Sequence, residues 1–177
     1  MPALEEASRE DGLGISARRI TISTVGIIPG IEQLAQADLN VHLALSLHAP
    51  DDQTRSRIVP TGKKFTVRDI VAAAKGFQER TGRVVNIEYC MLEGVNDSDQ
   101  QANALADLMD DFRAHVNLIP YNSIGPGLSG ATYRTPSPEK ISAFGQILRN
   151  RNVVAHIRRT RGDDVSAACG QLREMMT

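Results

Sequence analysis

Short runs of β-branched and other apolar residues alternate along this chain with amphipathic stretches of helical period, and that alternation constrains the fold more than any other feature. The strand-like runs lie at 19–25, 41–47, 83–92, 116–120 and 153–159, and the helical ones at 29–37, 66–80, 98–112 and 137–150. Thr66, Ser98 and Ser137 stand where N-caps belong, Pro138 suits a first helical turn, and Gly82 follows a helix end. A further short helix is expected from Asp164. Strand followed by helix, repeated, builds parallel βαβ units whose strands are expected to be buried on both faces. At 177 residues, 41% of them apolar, the chain can form one core. Five strands are nevertheless too few for an eight-stranded barrel, which needs about 250 residues.

In parallel sheets and β/α barrels, ligands collect at the carboxyl ends of the strands. Those ends read Ser23-Thr24-Val25-Gly26, Ser46-Leu47-His48-Ala49-Pro50, Leu92-Glu93-Gly94-Val95-Asn96-Asp97 and Pro120-Tyr121-Asn122, all polar and rich in Gly, Pro or Asn. After the last strand, Arg158, Arg159 and Arg161 lead into Asp163 and Asp164 and then to a lone thiol, Cys169. Two readings of that segment are open on the residues alone. In one, the guanidiniums hold phosphate or raise the thiolate fraction of Cys169, while the two aspartates cap the helix that carries it. In the other, a surface strand precedes a capped helix whose cysteine fills space.

Twenty basic residues face 21 acidic ones, so the overall charge points to no nucleic-acid partner and only local clusters could. Such clusters occur at Arg18-Arg19, Arg55 with Arg57, Lys63-Lys64, and Arg158 with Arg159 and Arg161; each taken singly reads as a solvated face. The two cysteines, Cys90 and Cys169, have neither the number for a disulfide framework nor a metal-ligand spacing, and Cys90 lies on an apolar run that reads as core packing. The amino-terminal stretch lacks an apolar segment and no run is long enough to span a bilayer, so a soluble, cytoplasmic protein is expected.

Ile22-Ser23-Thr24-Val25-Gly26, Ser46 to Pro50, Ile87-Glu88-Tyr89-Cys90-Met91-Leu92 with Gly94 to Asp97, Val116-Asn117-Leu118-Ile119-Pro120-Tyr121-Asn122, and Arg159-Thr160-Arg161-Gly162-Asp163-Asp164 with Ala167-Ala168-Cys169-Gly170-Gln171-Leu172 together resemble the RlmN family. These are radical-SAM methyltransferases acting on adenine C2 in 23S rRNA and tRNA, and the resemblance runs from about Leu13 onward. The related Cfr enzymes, which modify C8, share a similar Ala-Ala-Cys-Gly-Gln-Leu ending, whereas the Arg-Thr-Arg-Gly-Asp-Asp before it looks more like the C2 enzymes. The resemblance implies an α/β fold, the later part of a partial (β/α)6 radical-SAM barrel. Residues 18–177 would form the carboxy-terminal portion of that core, and residues 1–17 a remnant of an upstream segment or loop. It also implies that Cys169 carries the methyl group, and that Ser23, Ser46, Leu47, His48 and Asn122 contact S-adenosylmethionine. In that chemistry the thiolate first takes a methyl from the sulfonium. A radical generated at a 4Fe-4S cluster then activates it for transfer to the base, with an electron donor such as flavodoxin as partner.

The sequence departs from the family in what makes the radical. It has no Cys-x3-Cys-x2-Cys loop, no second cysteine matching the one that resolves the protein–RNA crosslink, and no Gly-Glu-Pro segment. No metal ligands are therefore expected in this chain, since cluster ligation needs thiolates. Two expectations follow. Either the chain is part of a longer methyltransferase, of the C2 type or alternatively a Cfr-like C8 enzyme, and inactive alone, or it is a non-catalytic RNA-binding or split-enzyme partner protein.

Overall fold

The computed structural model describes residues 2–9, 11–37, 39–59, 64–122 and 132–158. Five strands, β1 (Thr21–Thr24), β2 (His42–Ser46), β3 (Val85–Met91), β4 (Ala114–Pro120) and β5 (Val154–Ile157), form one sheet in the order β1-β2-β3-β4-β5. Every neighbouring pair is parallel. The helices are α1 (Pro2–Ser8), α2 (Ile28–Gln36), α3 (Asp52–Ile58), α4 (Val67–Thr81), α5 (Asp99–Leu108) and α6 (Pro138–Asn150), with a short 3-10 turn over Ala17–Arg19 before β1. The expected alternation is present, and the helix expected from Asp164 lies outside the described residues.

The caps are those that the sequence indicated. The Thr66 hydroxyl accepts from the Asp69 N–H at 3.1 Å and that of Ser137 from the Lys140 N–H at 3.3 Å. Ser98 and Gln101 form a reciprocal capping box, and Gly82 closes α4 with φ 67° in the left-handed region. Helix α5 ends early, and α3 was not among the helices expected. Helix α5 stops at Leu108 rather than continuing to 112, because the chain turns through a left-handed Asp111 (φ 51°) that returns Phe112 to the core. Helix α3 has no apolar period, since its one buried side chain is Arg55, and only its N-cap marks it: the Asp51 carboxylate accepts from the Thr54 N–H at 2.7 Å.

The sheet is buried on one face only, contrary to the expectation of burial on both. Along β3, Val85, Ile87, Tyr89 and Met91 are buried and alternate with half-buried Asn86, Glu88 and Cys90; β4 repeats the pattern. The buried row packs with Ile31 and Leu34 of α2, Ile70, Ala74 and Phe77 of α4, Leu105 of α5, and Ile141, Phe144 and Leu148 of α6. Each of the larger of these side chains contributes roughly 2 kcal/mol of transfer free energy. Topology explains the asymmetry. Strands laid down in sequential order, joined by crossovers of one hand, place every helix on the same side of the sheet, as in a barrel wall. The other face is mostly polar, with Ala44 and Val154 among its apolar members. It carries Ser23, Ala44, Asn86 and His115 in one register row and Ser46, Glu88, Asn117 and His156 in the next.

The β1–α2 turn shows how closely strand end and helix meet. The Thr24 hydroxyl accepts from the N–H groups of Gly26 (3.1 Å) and Ile27 (3.2 Å). Gly26 has φ 93°, and a Cβ there would lie 2.7 Å from the Ile70 methyl Cγ2 in the core. Gly26→Ala is therefore expected to destabilise the protein by about 3 kcal/mol, through backbone strain plus overpacking. A urea midpoint equal to wild type would show that the turn relaxes.

Candidate functional site

The carboxyl end of β2 is held by three separate devices. First, the Glu88 carbonyl accepts from the N–H of Leu47 (3.1 Å) and of His48 (3.3 Å), which carries the strand pairing one step past Ser46. Second, the Arg55 guanidinium, 1% exposed, reaches up from α3. Its Nε donates to the Leu47 carbonyl at 3.1 Å, and its Nη2 to those of Val25 at 2.6 Å and Ser46 at 3.4 Å. A cation is thus placed where the carbonyls of two parallel strands run out of ladder partners. Third, the fully buried Asn96 amide bridges β2 to β3: Nδ2 donates to the carbonyls of His48 and Cys90, both at 2.7 Å, and Oδ1 accepts from the Leu92 N–H at 2.7 Å. Tyr89 donates its hydroxyl to the Asn96 carbonyl at 2.7 Å, and burial holds its pKa well above the ordinary value.

These contacts impose a left-handed backbone on His48 (φ 62°). Its Nδ1 accepts the Cys90 N–H at 3.1 Å, so the neutral ring carries its proton on Nε2. Burial, and secondarily the Arg55 charge, lower the His48 pKa to about 4. Both effects disfavour the imidazolium, so the ring is neutral at physiological pH. The Cys90 thiol beside it is pushed up to about 11 by burial and stays protonated. Cys90 belongs to the polar, half-buried face rather than to the helix-packed core where its sequence context placed it.

Of the residues singled out in the sequence, Ser23 and Ser46 stand on the polar face at the ends of neighbouring strands, and Asn122 is half-buried two residues beyond β4. Leu47 differs in kind: its side chain is buried in the core and its N–H and carbonyl are both engaged, so it contributes by shaping the backbone. Cys169 lies outside the described residues, as do Arg159, Arg161, Asp163 and Asp164. Arg158 is exposed, and its N–H donates to the Leu118 carbonyl at 2.9 Å.

Five contributors were not legible as such. Arg55 was read with Arg57 as a solvated cluster; Arg57 is exposed as expected, but Arg55 is buried. Asn96 was noted only as a loop residue. Glu88 and Asn117 meet on the polar face, where Asn117 Nδ2 donates to Glu88 Oε1 at 2.9 Å. The carboxylate of Asp97 closes the β3–α5 loop by accepting the Gly94 N–H at 3.0 Å. Its other oxygen lies 3.4 Å from Lys140 Nζ, close enough for an ion pair but not aligned for a hydrogen bond.

The donor set suits a polar nucleoside-type ligand, offering serine hydroxyls, an imidazole N–H, amides and a carboxylate. It does not suit an iron–sulfur cluster. The sequence has only Cys90 and Cys169, no group of three or more potential metal ligands occurs among the described residues, and the Cys90 thiol is shifted away from ionisation.

A sequentially ordered parallel sheet, helices on one face and a polar face with ligand-type groups at the strand ends, is the architecture of a partial radical-SAM β/α barrel. The crystal structure of a radical SAM methyltransferase from Sphaerobacter thermophilus superimposes with a TM-score of 0.84 at 44% identity, over 93% of this chain and 47% of that one. A domain of pyruvate-formate lyase-activating enzyme from Bacteroides vulgatus shares the fold at a TM-score of 0.61 with only 17% identity. Among curated proteins, "Probable dual-specificity RNA methyltransferase RlmN 1" of Opitutus terrae is 50% identical over 160 residues, covering 90% of this chain and 45% of its own length. The RlmN counterpart from Rhodopirellula baltica is 44% identical over 173 residues, with 98% and 46% covered. No family model matches. The chain belongs to the RlmN family, and it spans about half the length of the curated relatives it matches.

Proposed function

We propose that this chain is the cofactor-holding and methyl-carrying portion of an RNA adenine C2-methyltransferase, acting on 23S rRNA and tRNA. What supports the reading is the position of Ser23, Ser46, His48 and Asn122 at or just beyond the carboxyl ends of β1, β2 and β4 of one parallel sheet, in a chain 44–50% identical to RlmN proteins. On this reading, residues 18–177 form the carboxy-terminal part of the radical-SAM core. Ser23, Ser46 and Asn122 bind hydroxyl, amino-acid and adenine edges of S-adenosylmethionine, Leu47 shapes the strand end, and His48 donates from Nε2. When bound, S-adenosylmethionine supplies an electrophilic methyl group. Cys169 would receive it, its thiolate bonding to the methyl carbon as the sulfonium sulfur leaves as a neutral thioether, and Arg158, Arg159 and Arg161 favour the ionised thiol. The target adenine would lie in an exposed RNA site, turned out so that its C2 edge is reachable.

The thiolates for a cluster are not in this sequence, so no radical step is assigned to its residues. A second reading takes the chain as a split-enzyme or RNA-binding partner of a cluster-bearing protein. A cytoplasmic setting and a flavodoxin-type electron donor go with either version. Among the described residues no helix is long and apolar enough to cross a membrane.

Equilibrium dialysis of the folded chain against labelled S-adenosylmethionine tests the reading. Saturable binding is expected, weakened about tenfold by Asn122→Leu, the loss of one or two ligand hydrogen bonds. A folded chain with no saturable uptake would refute it.

A further inference from the structure

We propose that Asn96 is a positioning residue for ligand recognition: it locks the turn after β2 so that His48 presents Nε2–H as a fixed, neutral hydrogen-bond donor, which selects an acceptor atom on the ligand. The ligand half of this inference rests on the cofactor-binding reading above; the geometry of the turn does not.

A non-glycine residue at φ 62° persists only where its surroundings over-determine it, and His48 meets that condition at every polar group but one. Its N–H donates to the Glu88 carbonyl, its carbonyl accepts from Asn96, and its Nδ1 accepts from the Cys90 N–H. Asn96 makes the arrangement a unit. By donating to the carbonyls of both His48 and Cys90, it fixes the end of β2 against the end of β3 at the point where the ring meets the Cys90 N–H. Its own position leaves it no freedom, with the Leu92 N–H on Oδ1, the Tyr89 hydroxyl on its carbonyl and no exposed surface. The remaining group is His48 Nε2. It has no partner among the described residues, and it is not among the described polar atoms sealed from solvent without one.

A ring fixed in this way cannot serve as a proton shuttle at neutral pH, because its Nδ1 is committed and its surroundings disfavour a second proton. The elements meeting the turn carry Asp51 at the N-cap of α3, Asp52 and Arg55 on α3, Glu88 and Cys90 on β3, and Asp97 in the loop after it. Arg55 is the one whose charge acts on the ring, and its sign opposes protonation. What such a group can do is recognise an acceptor: a ring nitrogen, a ribose oxygen or a carboxylate of the bound nucleoside.

The test is a nitrogen-15 NMR titration of the His48 ring in the full chain between about pH 5 and 8, where an ordinary histidine changes charge. In the wild type the ring should remain the Nε2–H tautomer throughout. Asn96→Ala should let it sample both tautomers and titrate close to the ordinary value near 6.5, and Asn96→Leu, which removes both donated bonds at similar size without adding a charge, provides the same reading if the alanine variant does not fold. A purely structural asparagine would lower stability without moving the tautomer. A wild-type ring protonated on Nδ1, or Asn96 variants with an unchanged ring, would overturn the positioning role. For the ligand half, His48→Gln keeps a neutral N–H donor and should retain S-adenosylmethionine affinity, whereas His48→Ala should lose about tenfold. Equal affinity in His48→Ala and wild type would overturn the donor assignment. A wild-type chain with the stated tautomer but no affinity for S-adenosylmethionine would refute the cofactor reading and the donor assignment together, while leaving the role of Asn96 in the turn supported.

Discussion

Arg55→Ala is expected to lower the unfolding free energy by about 4 kcal/mol, because it leaves one buried and two half-buried carbonyls short of a donor and opens a cavity where a fully buried side chain stood. The carbonyls are those of Val25, Ser46 and Leu47, so the loss falls on the ends of β1 and β2 together. Among the described residues no carboxylate lies within ion-pair distance of Arg55, although Asp52 favours its charged form from farther away. The guanidinium therefore acts as a hydrogen-bonding fork rather than as half of a salt bridge. Arg55→Lys should recover little of the loss, since an ammonium cannot donate to separated carbonyls from a fixed plane. Arg55→Met should restore volume but not the bonds. Urea denaturation of the three variants decides the matter, and a loss below about 1 kcal/mol in Arg55→Ala would mean that water replaces the fork at no great cost.

Cys169→Ala is expected to abolish methyl transfer to RNA, and Cys169→Ser should do no better, because a hydroxyl at neutral pH is too weak a nucleophile to take a methyl from a sulfonium. The assay is label from methyl-labelled S-adenosylmethionine, followed first into the peptide containing Cys169 and then into RNA, with a cluster-bearing segment or partner present. Cys90→Ala is the matched control. Its thiol, pushed up to about 11, is protonated at neutral pH and should carry no methyl. Label on Cys90, or RNA methylation surviving in Cys169→Ala, would remove the role proposed for Cys169.

Local chemistry accounts for what was legible from the residues alone. Strands β1 to β5 stand out because apolar and β-branched residues cluster at each, and α4, α5 and α6 because Thr66, Ser98 and Ser137 cap them through bonds spanning only three residues. The motifs at Ser23, Ser46 to His48, Asn122 and Cys169 were likewise readable, and with them the family. Helix α3 was not, because a helix that buries an arginine rather than an apolar stripe has no hydrophobic period to detect. Nor could sequence separate Arg55 from Arg57, two residues on. Which of them is buried depends on Val25, 30 positions away and brought alongside by the β1–β2 pairing. The same holds for the Asn96 amide, which reaches the His48 carbonyl across 48 residues. The family, the strand order along the chain and the candidate ligand positions were thus determined by the sequence itself. The one-sided burial of the sheet, the buried arginine beneath the strand ends and the single tautomer of His48 were decided only by tertiary structure, because each depends on hydrogen bonds between segments that meet only once the parallel strands have paired.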